Sequence, residues 1–186
     1  MMTLEKIEAM KQIKKEFDEM NKFPNINIGS VISLIDLDDI FKWKASLRGP
    51  KDSSYKGGLF ILNITFPDNY PKKAPEVCFK TPIYHLNVNP QKSNVPGADP
   101  LGHVSISTLN FWKPYYKIKE VLINIFGLLY KPNPDSPYGL NRAEELRSNR
   151  PLYEEKIKFF TQKYANPKNA NIDKEYNESW DFTYPQ

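Results

Sequence analysis

The side chains best suited to nucleophilic chemistry in this sequence lie around Ser105. His103 precedes it by two positions, and His85 stands earlier on the chain. A serine attacks a substrate only when a neighbouring base takes its proton. Here no Gly-x-Ser-x-Gly turn surrounds the serine, and side chains two positions apart on an extended segment do not face each other. The residues therefore argue against a serine hydrolase.

The single thiol belongs to Cys78, which stands between Val77 and Phe79 in a segment typical of a strand. This position favours a buried and inert thiol over a reactive one. One cysteine cannot form an intramolecular disulfide, and with two histidines it cannot supply a Cys-x-x-Cys zinc site. We therefore expect no metal and no cofactor. A single cysteine also fits a reducing compartment, which predicts a cytoplasmic protein, with the nucleus as the alternative.

The composition is that of one ordinary globular domain. Of the 186 residues, 40% are hydrophobic and 26% are charged. The net charge of +4 is spread along the chain without a long basic block, so we expect no nucleic-acid partner. The sequence has no apolar run of about 18 residues, and residues 1–15 are charged throughout. These features predict neither a membrane span nor a secretory signal.

Hydrophobic periodicity predicts one helix at the N-terminus and three in the C-terminal half. Apolar residues of the first segment recur every three or four positions: Leu4, Ile7, Met10, Ile13, Phe17 and Met20. This helix should end before Phe23-Pro24, because the residue ahead of a proline avoids helical backbone. The same period returns from Ile118 to Leu129. A third helix is predicted to be capped by Asn141 with Glu144 in a capping box, and a fourth to run from about Pro151 to Ala165.

The middle of the chain changes to the alternating period of a β-sheet. Strands are predicted in four segments: Val31 to Ile35, Phe41 to Leu47, Phe60 to Phe66 and Val77 to Phe79. Residues 82–112 show neither period and are rich in proline and glycine, which is typical of an irregular loop. The order predicts an α+β domain with an N-terminal helix, a four-stranded antiparallel meander, a long loop and three C-terminal helices.

The last segment is polar and ends in alternating aromatic residues. We expect residues 1–165 to form the folded domain and residues 166–186 a tail that its composition leaves disordered on its own. Trp180, Phe182 and Tyr184 alternate with polar residues, a pattern suited to filling apolar pockets on a protein partner. Under this hypothesis, deleting the tail leaves stability nearly unchanged. The alternative is that the aromatics fold back on the domain.

A series of short motifs in a fixed order resembles the core of ubiquitin-conjugating enzymes, from about Leu4 to Ala165. The first motifs follow the predicted strands: Gly49-Pro50, Ser54 to Gly58, Phe66 to Pro71, Ala74 to Val77 and Ile83 to Val88. The later ones are Gly102 to Ile106, Leu109, Trp112-Lys113-Pro114, Leu128-Leu129 and Pro132 to Pro134. The number and order of these motifs, more than any single one, carry the resemblance. It implies the same α+β fold, with the long loop as the active-site loop.

The resemblance implies a cysteine that accepts ubiquitin as a thioester and passes it to a lysine or a ligase. That cysteine follows a His-Pro-Asn motif in the family, and the matching residue here is Ser105. Without a base, Ser105 should be a poor acceptor that at best forms a stable oxyester. The motif is His85-Leu86-Asn87, so Leu86 replaces the proline. We expect Ser105 on irregular backbone close to Asn87, whose side chain either supports the loop or polarises the thioester carbonyl.

Three further positions belong to the groove and loop that the resemblance implies. Residues 89–101 look like an insertion beside the groove. Ser136 stands before Pro137, at a position that is often acidic in the family and steers an incoming lysine, although serine also occurs there. Trp112 is the tryptophan of the loop that precedes the next helix.

The surface that docks RING-type ligases in the family also differs in this chain. Members that bind such ligases commonly carry an aromatic residue after Tyr-Pro and a Ser-Pro-Ala after the tryptophan. Here Lys72 follows Tyr-Pro, and Lys113-Pro114-Tyr115 follows the tryptophan. A lysine in an apolar docking pocket weakens binding. Ordinary RING partners are therefore not expected, and Lys72 and Pro114 mark the altered partner-binding surface.

Two functional interpretations stay open. The first is a catalytically inactive relative that acts as a binding or scaffold subunit, with ubiquitin or a ubiquitin-like protein, or an assembly held by the tail, as its partner. The second is a divergent conjugating enzyme whose nucleophilic cysteine is replaced by Ser105. A single change made to stall an enzyme would not also alter the motif, the loop and the docking surface. The combined differences favour the first interpretation.

Overall fold

The computed structural model describes residues 2–22, 31–33, 39–168 and 179–185. Its elements are α1 (Leu4–Lys22), β1 (Val31–Ser33), β2 (Lys42–Arg48), β3 (Leu59–Thr65), β4 (Glu76–Phe79), α2 (Ser107–Asn110), α3 (Ile118–Tyr130), α4 (Leu140–Ser148) and α5 (Arg150–Tyr164). The predicted α+β class is confirmed, with one short helix, α2, added inside the long loop. No helix in the described ranges is both long and apolar enough to cross a membrane.

The sheet is antiparallel, with the strand order β1-β2-β3-β4. Alternation along β2 buries Trp43, Ala45 and Leu47, while Lys44 and Ser46 between them are only half-buried. Ala45 pairs with Leu62 of β3, which in turn pairs with Phe79 of β4. The predicted meander is confirmed over β2, β3 and β4. The first predicted strand, Val31 to Ile35, corresponds to β1, which contains three residues. The rest of that predicted range lies outside the described residues.

Helix α1 contributes both apolar and ionisable groups to the interior. Ile13 is fully buried, whereas Leu4 is 73% exposed, so its predicted place in the apolar stripe is wrong. Leu4 begins the helix and lies beyond the core. Glu16 is buried, and its carboxylate accepts hydrogen bonds from Tyr70 Oη at 2.9 and 3.0 Å and from Ile118 N at 2.9 Å. The carboxylate thus satisfies an amide at the start of α3, where a negative charge is favourable.

The C-terminal helices follow the predicted order, with one correction. Helix α4 begins at Leu140 with Gly139 as its N-cap. The predicted capping box at Asn141 is therefore wrong, because this residue lies inside the first turn, where its side chain accepts a hydrogen bond from Arg142 N at 2.9 Å. Helix α5 carries a side-chain cap, since Asn149 Oδ1 accepts from Leu152 N at 3.2 Å.

Residues 179–185, here called the C-terminal strap, pack on the domain. Trp180 is only 7% exposed and belongs to the core. The ring of Phe182 lies 4.9 Å from that of Phe160, and the ring of Tyr184 lies 5.3 Å from that of Phe159. The prediction that these aromatic residues are exposed is therefore wrong, because they pack on the domain. Their binding to a partner stays a prediction. Burying these rings on α5 is more favourable than leaving them in water.

Candidate functional site

Ser105 lies on irregular backbone between a short β-bridge and helix α2. The bridge joins Val88 to Val104, and Ser105 N donates to Asn87 O at 2.9 Å. The sequence-based expectation that Ser105 lies on irregular backbone near Asn87 is thus confirmed. The Ser105 side chain is partly exposed at this surface.

The hydroxyl of Ser105 contacts two polar side chains, neither of which is a base. Its Oγ lies 3.0 Å from Ser136 Oγ and accepts a hydrogen bond from Asn110 Nδ2 at 3.2 Å. Neither a hydroxyl nor an amide takes a proton from serine at neutral pH. His103 Nδ1 instead contacts Tyr138 Oη and lies 3.8 Å from Asp99 Oδ1. Within the described ranges, therefore, no base contacts the Ser105 hydroxyl.

His85 is buried and neutral, and its ring forms hydrogen bonds with backbone groups. Its Nε2 lies 3.0 Å from Leu128 O, and its Nδ1 accepts a hydrogen bond from Asn87 N at 3.0 Å. These partners require the tautomer with hydrogen on Nε2. Burial lowers the pKa of His85 to about 4, and the nearby charge of Arg142 acts in the same direction. Both ring nitrogens are engaged, so His85 is not a base for Ser105.

The amide of Asn87 is fully used in holding the loop that follows α3. Its Nδ2 donates to Asn133 O at 2.7 Å and to Ser136 O at 2.9 Å. Its Oδ1 accepts from Asn133 N at 2.8 Å. An amide group has two hydrogens, and both are occupied, so neither is available to a developing oxyanion. Of the two roles that the resemblance allows, this geometry fits support of the loop.

Leu86 uses the N–H that a proline lacks. The residue is fully buried, and its N donates to Tyr153 Oη on α5 at 3.2 Å. Its carbonyl accepts from Tyr138 N at 2.7 Å. Sequence reasoning missed Tyr153, because a partner 67 positions away leaves no local pattern. The altered motif is thus accommodated by a specific hydrogen bond.

Residues 89–101 form a loop that is closed at its base. Asn89 N donates to His103 O at 2.9 Å, and Gly102 N donates to Asn89 O at 2.8 Å. Gly102 has φ +80°, and a Cβ there would lie 2.0 Å from Phe79 O, so a larger residue would not fit. Tyr138 Oη donates to Asp99 Oδ2 at 2.8 Å. The loop is therefore fixed beside the Ser105 segment.

The thiol of Cys78 is no substitute nucleophile. It is half-buried on β4. Burial raises its pKa to about 12, with smaller contributions from the charges of Glu76 and Asp99. The thiol is therefore protonated at neutral pH and unreactive, as the sequence predicts. Over the described ranges no group of three or more His, Cys, Asp or Glu side chains could hold a metal ion.

The altered docking surface combines a paired lysine with exposed aromatics. Lys72 Nζ lies 2.9 Å from Glu5 Oε1, so the lysine extends toward α1. Trp112 Nε1 donates to Pro71 O at 2.7 Å, which makes Trp112 part of the loop's own structure. Pro114 is exposed, and Tyr115 is 73% exposed. The partner-binding role of Lys72 and Pro114 stays a prediction.

The family assignment agrees with this fold and site. The family model for ubiquitin-conjugating enzymes matches residues 12–161, from within α1 to within α5. The match covers most of the chain and includes the segments of Asn87, Ser105 and Ser136. This chain belongs to the ubiquitin-conjugating enzyme family.

Proposed function

We propose that this chain is a catalytically inactive member of its family that acts as a binding subunit for ubiquitin or a ubiquitin-like protein. The observation that carries the proposal is the environment of Ser105. Its hydroxyl is held between Ser136 Oγ and Asn110 Nδ2, and no base among the described residues contacts it. A serine in this setting is a weak nucleophile toward a thioester.

The groups around Ser105 support the same proposal. Both amide hydrogens of Asn87 are bonded to loop carbonyls, so the amide has no donor left for an oxyanion. Ser136 offers a hydroxyl where a carboxylate would attract an incoming lysine. These side chains give the site a stable shape without the groups that transfer requires. A site preserved in shape alone fits recognition better than turnover.

The direct test is a charging reaction with activating enzyme, ATP and ubiquitin. We expect no adduct that a thiol reductant releases, because Cys78 is protonated. We also expect no alkali-labile oxyester, because the side chains that contact the Ser105 hydroxyl, Ser136 and Asn110, are not bases. Titrating isotopically labelled ubiquitin with this chain should shift a contiguous set of ubiquitin resonances. An oxyester mapped to Ser105, or a titration without shifts, contradicts the proposal.

A divergent conjugating enzyme is the second candidate. It is favoured by one observation: Ser105 N still donates to Asn87 O at 2.9 Å, so the two elements of the site remain adjacent. The substitution Ser105→Cys separates the two candidates. The proposed function predicts that any thioester formed on this variant is not passed to free lysine. Rapid discharge to lysine would instead support the second candidate.

A further inference from the structure

The C-terminal strap is anchored by an aromatic cluster. The ring of Phe182 lies 4.9 Å from that of Phe160 on α5 and 5.4 Å from that of Tyr84. Both contacts are edge-to-face, which is a favourable geometry for aromatic rings. Tyr84 immediately precedes His85 in the site motif. The strap therefore contacts the same short segment that supports the candidate site.

Arg142 connects Phe182 to the site motif. Its guanidinium lies 4.8 Å from the ring centre of Tyr84 and 4.9 Å from that of Phe182. Its Nη1 donates to His85 O at 3.4 Å. No carboxylate within the described ranges forms an ion pair with Arg142, so its charge is held by the two ring faces and by the His85 carbonyl. Loss of the Phe182 ring removes one of these three contacts.

A second connection runs through backbone groups. Trp180 N donates to Pro90 O at 3.0 Å, and Lys92 N donates to Ser179 Oγ at 3.0 Å. These bonds hold the start of the 89–101 loop. The adjacent residue, Asn89, donates its N–H to His103 O at 2.9 Å, two positions before Ser105. The strap thus reaches the Ser105 segment by a route that does not include Arg142.

We propose that the C-terminal strap is a latch that holds the Ser105 segment in place, and that Arg142 is its positioning residue. One connection reaches the chain before Val88 and the other after it, and Val88 is the residue bridged to Val104. Releasing the strap frees the loop carbonyls and amides that it holds, and the segment then opens locally while the rest of the domain stays folded. The proposal concerns how the site is held and does not depend on whether the chain is catalytic.

The test uses a thiol introduced by Ser105→Cys in the full chain, with Cys78→Ser to remove the native thiol. Its alkylation by N-ethylmaleimide is followed by mass spectrometry under native conditions, together with hydrogen exchange of residues 85–92 and 101–106. Phe182→Ala and Arg142→Met should each raise the alkylation rate roughly tenfold and reduce amide protection in both segments. If either variant fails to fold, Phe182→Leu is expected to give a smaller increase of the same sign.

Two matched controls distinguish a latch from general destabilisation. Tyr184→Phe removes only a hydroxyl that donates to Glu155 Oε1 at 2.6 Å and lies outside both connections. Ile13→Val weakens the core at α1, remote from the strap. Both should leave the alkylation rate within about twofold of the parent. Equal rates in all variants, or equal increases in strap and control variants, would overturn the proposal.

Discussion

At the scale of single residues, the side chains of His85 and Asn87 form hydrogen bonds with backbone groups near Ser105. His85 and Asn87 are both fully buried, and every nitrogen of their side chains has a backbone partner. Buried polar groups of this kind are costly to disturb, since each lost partner leaves an unsatisfied group. The structure thus gives the histidine and asparagine of the motif a role in holding the surrounding backbone.

Buried His85 gives a pH dependence with a defined sign. Its pKa is about 4 in the folded chain and about 6.5 when unfolded. The unfolded state therefore binds this proton first as the pH falls. The stability that neutral His85 provides is complete above pH 6.5 and falls by up to about 3 kcal/mol as the pH approaches 4. Urea unfolding between pH 7 and 4.5 should show this loss.

The matched variant is His85→Gln, whose side-chain amide can still donate to Leu128 O without titrating. The difference between the two stability profiles isolates His85 from the carboxylates, which titrate in both proteins. We expect the profile of the variant to be flatter than that of the parent over this range. Parallel profiles would mean that His85 is protonated as easily when folded as when unfolded.

At the scale of elements, helix α5 fixes the site motif as well as the core. Tyr153 is buried on α5, and its Oη accepts from Leu86 N at 3.2 Å. Burial raises the pKa of Tyr153 to about 12, so the hydroxyl is neutral. The Tyr153 hydroxyl accepts from the N–H of Leu86, a donor that the proline of a His-Pro-Asn motif would lack. Leu86, which replaces the motif proline, and Tyr153 on α5 are thus hydrogen-bond partners.

A double-mutant cycle tests this pair. Tyr153→Phe leaves Leu86 N unsatisfied and should cost about 1 kcal/mol of unfolding free energy. Leu86→Pro removes the donor itself. The double variant should be more stable than the sum of the single effects predicts, by about 1 kcal/mol in denaturant unfolding. Additive effects would show that the bond contributes nothing.

Sequence patterns predicted the elements better than the contacts between them. Alternation in β2 and the helical period of α3 were reliable because each buries one face on a large core. The capping box at Asn141 failed because Gly139 and Leu140 start the helix first. The exposed tail failed for a different reason: Trp180 and Phe182 find their partners far along the chain, and composition does not report such contacts. The hydrogen bonds of Asn87 to Asn133 and Ser136 were not predictable from the sequence for the same reason, since these partners lie more than 40 positions away.

At the scale of the whole molecule, the strap closes the core that the family domain begins. The family match ends at residue 161, within α5, whereas the buried ring of Trp180 lies beyond it. Phe182 contacts Phe160 of α5 and Tyr84 beside the site motif, and Trp180 packs against Phe182. The packed core of this chain therefore extends beyond the matched family region.

Truncation after residue 178 tests whether the strap is part of this core. Removing the strap exposes Phe160 and Tyr84 to water and deletes a buried tryptophan. We expect a loss of about 3 kcal/mol or more in unfolding free energy, comparable to truncating a large buried aromatic side chain. Denaturant unfolding gives the value, and truncation after Tyr184, which keeps the aromatic residues, is the control. Equal stability of both truncated proteins would mean that the strap is not part of the core.

The bond between Lys92 N and Ser179 Oγ also sets an order of events during synthesis. Its two residues are 87 positions apart. A ribosome adds about 5–20 residues per second, so the strap emerges on the order of ten seconds after the loop that it secures. Sheet, α3 and α5 are available to fold during this interval, but the Ser105 segment lacks its latch until the strap arrives. Under the latch proposal, a nascent chain therefore passes through a stage in which the strap does not yet hold this segment.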